Sequence, residues 1–205
     1  MVLDPRLIKA SLAICALLST GGFTAYAERA IRFSHLDVQQ AGVEGSIQAM
    51  GRDKRGDLWF GTAHGLSRFD GYQMRLGAAP ALTNSSITAI CPDSDGLRLW
   101  IGTANDGLFL LNSDGSLHRH LEVDGGRIEA LASGQETLWV ATLDGGISRL
   151  TAQGNHMEPA GYLSEGTSVS TLLETLDGTL LVGTLTGQLL RLGQGKFTQF
   201  YLVRA

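Results

Sequence analysis

The stretch GDLWFGTAHGLSRFDGY, residues 56–72, decides the fold. An aromatic follows a leucine, a Gly-Thr step comes next, and Gly65 and Gly71 cut the run into short pieces. These residue types make tight turns and also line ligand pockets, so the stretch by itself could be a binding site or a building unit. It is a building unit, because it returns as LRLWIGTANDGLFLL at 97, ETLWVATLDGGISRL at 136 and GTLLVGTLTGQLLRL at 178. The anchors Trp59, Trp100, Trp139 and Leu181 are separated by 41, 39 and 42 residues. A recurrence at about 40 residues is the signature of a repeat architecture.

Each unit reads as four short strands. SIQAMGRD, SITAICPD, RIEALASG and SVSTLLET supply the first, and turns such as Lys54-Arg55-Gly56 and Ser94-Asp95-Gly96 return it into the second. The second is apolar on both sides, Leu58 and Phe60 alternating with Trp59, and such a strand needs a sheet neighbour on each face. A third apolar strand follows a second turn, and a more polar fourth strand, SLHRHLEV or KFTQFYLV, suits an outer edge. Four-stranded antiparallel units of this period are the blades of a β-propeller.

That frame gives the repeated residues mechanical roles. Trp59, Trp100, Trp139 and Leu181 are expected to fill the space between blades. Gly61, Gly102, Ala141 and Gly183 stay small where a neighbouring sheet comes close, and Thr62, Thr103, Thr142 and Thr184 bond local backbone from a strand end. Leucine-rich repeats are shorter, helical repeats need apolar spacing at three and four residues, and the paired signatures of WD repeats do not recur here.

Composition agrees with an all-β chain. The 205 residues include 27 glycines against 4 prolines, which favours strands joined by glycine turns over disorder. Charged residues are 18% and the formal net charge is -4, so no basic field is present to neutralise a nucleic acid or hold an anionic membrane. The N-terminus differs from the rest: Arg6 and Lys9 precede an apolar core from Ala10 to Leu18, and Ala25-Tyr26-Ala27 follows. These are the three parts of a secretory signal peptide over residues 1–27, with cleavage after Ala27 leaving 178 residues. An uncleaved membrane anchor is the competing reading, although the apolar core falls short of the ~20 residues of a spanning helix. Residues 28–45 then form a lead-in strand, and four repeats occupy about 46–83, 84–124, 125–165 and 166–205. The bulky Ile14 before Cys15 argues against lipid attachment, and Cys91 alone cannot close an internal disulfide.

The repeat resembles the two-component regulator propeller repeat, roughly I-x-x-I-x-x-D-x-x-G-x-L-W-I-G-T-x-x-G-L-x-R-F-D. The first copy carries Ile47, Asp53, Gly56, Leu58 through Thr62, Gly65-Leu66 and Arg68-Phe69; the second carries Ile87, Asp93, Gly96, Leu99 through Thr103 and Gly107-Leu108. The third and fourth copies depart from it, with Ala141 for Gly, Ser133-Gly134 in place of the Asp turn, and Leu181 for Trp. The resemblance implies the periplasmic sensor region of a bacterial receptor, in a family whose propellers usually have seven blades and precede a histidine kinase or diguanylate cyclase output. Four repeats are then an incomplete open arc, and the output domain is expected to be absent, since no kinase or cyclase motif occurs. An exported binding or scaffold propeller without signalling is the alternative, as is a truncated, non-functional remnant.

Within a frame of constant turns, the second turn of each unit varies most: His64, Asn105, Asp106, Asp144 and Thr186. In propellers this turn shares an end with the blade connections, where ligands dock, so these five are the candidate ligand-binding residues. The expected ligand is a periplasmic molecule, and nothing in the sequence distinguishes a glycan from a peptide or a small molecule. Other partners are the downstream receptor domains of a longer relative, and a second copy meeting the open blade faces. His118 and His120 share one strand face but lack a third metal ligand, and Asp93-Ser94-Asp95-Gly96 reads as a blade turn, not a calcium loop. No cofactor, metal or enzymatic activity is expected, because no nucleophile stands beside an identifiable base and no hydrolase, zincin or phosphate-loop motif occurs.

Overall fold

A computed structural model describes residues 45–120, 123, 126–134, 136–144, 146–151, 157–164, 167–193 and 196–202. The expected signal peptide and all but the last residue of the lead-in strand lie outside the described residues. The described strands form four antiparallel sheets of four, each in sequence order. The first blade is β1 (Ala49–Arg52), β2 (Leu58–Thr62), β3 (Gly65–Phe69) and β4 (Met74–Arg75); the second is β5 (Ile87–Pro92), β6 (Leu99–Thr103), β7 (Leu108–Leu111) and β8 (Leu117–His120). The third is β9 (Ile128–Ser133), β10 (Thr137–Thr142), β11 (Gly146–Thr151) and β12 (Met157–Tyr162), and the fourth is β13 (Val169–Glu174), β14 (Leu180–Thr184), β15 (Gln188–Gly193) and β16 (Lys196–Leu202).

The hairpins follow from their turn residues. Gly96, at φ 69°, lies in the left-handed region that side-chain-bearing residues avoid, and its N–H bonds the Asp93 carbonyl at 2.8 Å to close the β5–β6 turn. The first strands of the last three blades share an irregularity. Register shifts fall after Ile87, Ile128 and Val169, leaving Thr88, Glu129 and Ser170 without a partner residue across the ladder. A bulge at the same level in each blade bends and twists the strand there.

Blades pack face to face, and three apolar clusters lie at the seams. Trp59, Leu66, Ile87 and Ile101 join the first blade to the second. Ala89, Trp100, Ile128 and Val140 join the second to the third, and Trp139, Ala141, Val169 and Val182 join the third to the fourth. Each tryptophan is therefore buried against the next blade, as its place in the repeat predicts. Leu181 is the exception and is only half-buried, because it points away from the third blade on a face that no described sheet covers. No cluster joins the fourth blade to the first among the described residues, so the sheets form an open arc.

The seams are tight at one repeated point. A Cβ on Gly61 would lie 2.5 Å from Ile87 Cγ2, and one on Gly102 would lie 2.6 Å from Ile128 Cγ2. The third seam has Ala141 and Val169 in these two places, both buried. Each seam thus sets a β-branched residue of one blade against a small residue of the blade before it. At the end of the arc the socket remains but its occupant changes: a Cβ on Gly183 would meet Thr171 Cγ2 of its own blade, at 2.7 Å.

A methyl group added at a seam should therefore cost about 1–3 kcal/mol through overpacking. In urea titrations, Gly102→Ala is expected to lower stability by that amount, and a cycle with Ile128→Ala should show a coupling of about 1 kcal/mol or more, since the second change removes the clashing methyl. Additive effects would mean that the two residues do not meet.

Candidate functional site

Antiparallel connectivity places the β2–β3, β6–β7, β10–β11 and β14–β15 turns at one end of the arc, together with the connections between blades. The repeated threonine organises each turn. Thr103 Oγ1 donates to the Gly107 carbonyl at 2.7 Å and accepts the Asp106 N–H at 2.9 Å. Thr62 Oγ1 does the same with the Gly65 carbonyl and the His64 N–H, at 3.3 and 3.0 Å. Thr142 Oγ1 donates to the Gly146 carbonyl at 3.3 Å, and Thr184 Oγ1 accepts the Gln188 N–H at 3.1 Å. All four threonines are buried, so their hydroxyls find in the turn backbone the partners that water would otherwise supply.

The connections brace these turns from behind. Ala104 N–H donates to the Ser86 carbonyl at 2.9 Å, Leu143 N–H to Arg127 at 2.9 Å, and Leu185 N–H to Ser168 at 3.0 Å. In the first blade the linker itself does so: Asn84 N–H donates to the His64 carbonyl at 3.1 Å, and Leu82 is wholly buried beneath it.

On this fixed backbone the five candidate residues present different chemistry. The side chains of His64, Asn105, Asp144 and Thr186 are exposed, and Asp106 is half-buried with its carbonyl accepting Arg119 Nε at 2.9 Å. The fold brings all five to the same end of successive blades. Among the described residues none is hydrogen-bonded to another, and none is ion-paired. Thr186 is the most constrained, its hydroxyl 2.9 Å from that of Thr184.

The opposite end, where the first and third turns of each blade lie, holds features that turn chemistry alone does not disclose. Asp53 is buried, and its carboxylate accepts the Asp57 N–H at 3.0 Å and the Trp59 indole N–H at 3.2 Å. Asp93 receives Trp100 Nε1 at 3.4 Å and also pairs with Arg98. The aspartate of each turn therefore latches the seam tryptophan of its own blade. In the third blade, where Ser133-Gly134 replaces it, Trp139 donates instead to Glu174 of the fourth blade. That carboxylate fills the space the missing side chain vacates: a Cβ on Gly134 would lie 2.1 Å from Glu174 Oε2. The spacing Asp-x5-Trp in the first repeat and its loss in the third were the visible signals for this substitution.

Two cavities open at this end, of about 440 and 360 Å³. The first is lined by Ser94, Gly134 and Glu174 through Gly178; the second lies between the first two blades. None of the five candidate residues lines either one. Asp70, Asp114 and Asp177 cap turns here, and hydrogen bonds from backbone N–H groups and from the Ser116 and Thr175 hydroxyls hold their carboxyls below the usual range. Burial, with Asp93 nearby, pushes the Cys91 thiol up to about 11, so it stays protonated at neutral pH. Asp93 and Asp95 are engaged by Arg98, Trp100 and the Leu97 N–H, as turn residues are. Among the described residues no three His, Cys, Asp or Glu side chains are placed to hold a metal, and no helix is long and apolar enough to cross a membrane.

A family model described as the two component regulator propeller matches residues 42–64 and 81–105. Among solved structures, the extracellular domain of BT4673 from Bacteroides thetaiotaomicron, described as a one component system, is 25% identical with a TM-score of 0.63, over 78% of this chain and 22% of that one. The extracellular domain of BT3049 from the same organism, described as a hybrid two component system, is 23% identical with a TM-score of 0.61, over 76% of this chain and 24% of that one. Virginiamycin B lyase from Staphylococcus aureus is 14% identical with a TM-score of 0.62, over 77% of this chain and 56% of the lyase. The chain thus spans under a quarter of the two extracellular domains and just over half of the enzyme. Its likeness to the lyase shows the fold alone. No curated protein matches the chain.

The threonine hub yields a direct test. Thr103→Val keeps the shape and the Thr103 N–H bond to the Gly107 carbonyl, but removes the hydroxyl's bond to that carbonyl and leaves the Asp106 N–H without its partner, and is expected to cost about 1–3 kcal/mol in urea unfolding. An unchanged midpoint would mean that the hydroxyl does not hold the turn.

Proposed function

We propose that this chain, whose first two repeats are those of the two component regulator propeller family, is the ligand-sensing propeller region of a bacterial signal-transduction receptor, exported and non-catalytic. The match at residues 42–64 and 81–105 carries the reading, and likeness to extracellular domains described as one component and two component systems supports it. The signal-like N-terminus agrees with export to the periplasm. A constant threonine hub bearing variable exposed side chains agrees with recognition: His64, Asn105, Asp106, Asp144 and Thr186 are the residues on which a soluble glycan or other small polar molecule would dock. In this role the chain passes occupancy to an output domain supplied elsewhere in the receptor. Its fourth blade keeps the Gly183 socket on an uncovered face, and the partner that fits such a face is another blade-like sheet carrying a β-branched residue. The lyase likeness is one of fold.

The test is expression of the full chain in a bacterium, recovery from the periplasmic fraction, and a thermal-shift screen against soluble oligosaccharides, amino acids and short peptides. The mature N-terminus is expected at Glu28, with at least one compound raising the melting temperature of the wild type and failing to raise that of Asn105→Ala or Asp144→Ala. A cytosolic product beginning at Met1 contradicts export, and a compound that stabilises both variants as it does the wild type contradicts the site.

A further inference from the structure

The cleft between the first two blades has an uneven charge distribution. Its walls include Arg55, Arg68 and Arg75 in a chain whose formal net charge is -4. Two of these cations are already answered: Arg55 Nη2 lies 3.5 Å from Asp53 Oδ2, and Arg68 Nε donates to Asp57 Oδ2 at 2.8 Å with its guanidinium 5.5 Å over the Trp59 ring. Arg75 is exposed and makes no hydrogen bond or ion pair among the described residues, although the Asp70 carboxylate lies within its electrostatic reach.

Arg75 also stands directly across the ladder from Arg68. Like charges opposite one another on neighbouring strands repel, so this pairing is unfavourable unless an anion lies between or beside them. Asp57 answers Arg68, and Asp70, which lies near both arginines, is engaged through Oδ1 by the Tyr72 and Gln73 N–H groups at 2.9 and 2.8 Å, so Arg75 has no ion pair of its own. Asp53 is turned inward to the Trp59 indole and the Asp57 N–H, and Asp114 accepts the Ser116 N–H and hydroxyl at 2.8 and 2.7 Å.

Beside the polar Asn112 and Ser113, the cleft also has an apolar part. Leu99 and Leu111 form a buried floor, while Leu76 and Leu97 stand half-exposed at the lips, at 49% and 43%. Arginine presents a planar fork that matches a carboxylate, and side chains of this kind around it accept a hydrocarbon body. At about 360 Å³ the cleft falls in the size range of small-ligand sites.

We infer that the cleft between the first and second blades binds a small carboxylate with an apolar body, its carboxylate on Arg75 and its body between Leu76 and Leu97. This site lies at the end of the blades opposite the five turn residues, so it is separate from the site of the proposed sensing function and stands or falls without it.

The test titrates the full 205-residue chain with phenylacetate and, separately, with 2-phenylethanol, reading amide shifts by 15N–1H NMR. Phenylacetate is expected to give saturable shifts at Leu76, Gly77, Ser113 and Gly115, with affinity at least tenfold above that of the neutral alcohol. Arg75→Gln should abolish the preference for the carboxylate, and Arg75→Lys should retain part of it. Equal affinity for the acid and the alcohol overturns the proposal without any variant. So does an unchanged phenylacetate affinity in Arg75→Gln, or shifts confined to the turns around His64 and Asn105.

Discussion

The structure depends on the contact between a β-branched side chain on the first strand of one blade and a small residue on the second strand of the blade before it. Ile87 against Gly61 and Ile128 against Gly102 leave no room for a methyl group, and Ala141 with Val169 is the same device with its volume redistributed. Interiors are packed to the density of organic crystals, so a contact this close fixes the separation and relative tilt of two sheets. The tryptophan two residues before each small residue then fills what remains of the seam. Because every seam uses the same pair of positions, the repeat period in the sequence becomes a repeated step in space.

That arrangement divides the two ends of the blades by role. At one end a carboxylate, buried in the first blade and half-buried in the next two seams, anchors the tryptophan indole, so variation there is restricted: when the aspartate is lost in the third blade, Glu174 of the next blade takes its place. At the other end a buried threonine satisfies the turn backbone from within, which frees most of the exposed turn side chains, Thr186 excepted, from structural duty. Residues without a structural duty can differ from blade to blade. This is the physical basis for proposing recognition at His64, Asn105, Asp106, Asp144 and Thr186, and for treating the arginine-lined cleft as a distinct feature of the first seam.

Most of the fold was legible in the sequence because the repeat displays its packing four times. Leu58-Trp59-Phe60-Gly61-Thr62 and its later copies disclosed the second strand, the seam and the hub, and the threonine hydroxyls bond the turn backbone as their position at a strand end implied. The missing aspartate of the third repeat was visible in the sequence, but the partner that replaces it for Trp139 was not, since Glu174 lies 35 residues away on another blade and no local spacing points to it. Nor was the crowding of Arg68 by Arg75, which arises only when β4 folds back on β3 in register. The half-buried state of Leu181 likewise follows from which faces the arc covers, a property of the assembly and not of the repeat.

The central claim, that identical seams step four blades around an open arc, is tested most directly by distances between equivalent turns. Spin labels would be placed at Lys54→Cys with Ser94→Cys, and at Lys54→Cys with Leu176→Cys, in a chain with Cys15→Ser and Cys91→Ala, and read by double electron–electron resonance. An open arc predicts that the separation between the first and fourth blades clearly exceeds that between the first and second. Equal separations, as in a closed four-bladed ring, would contradict it.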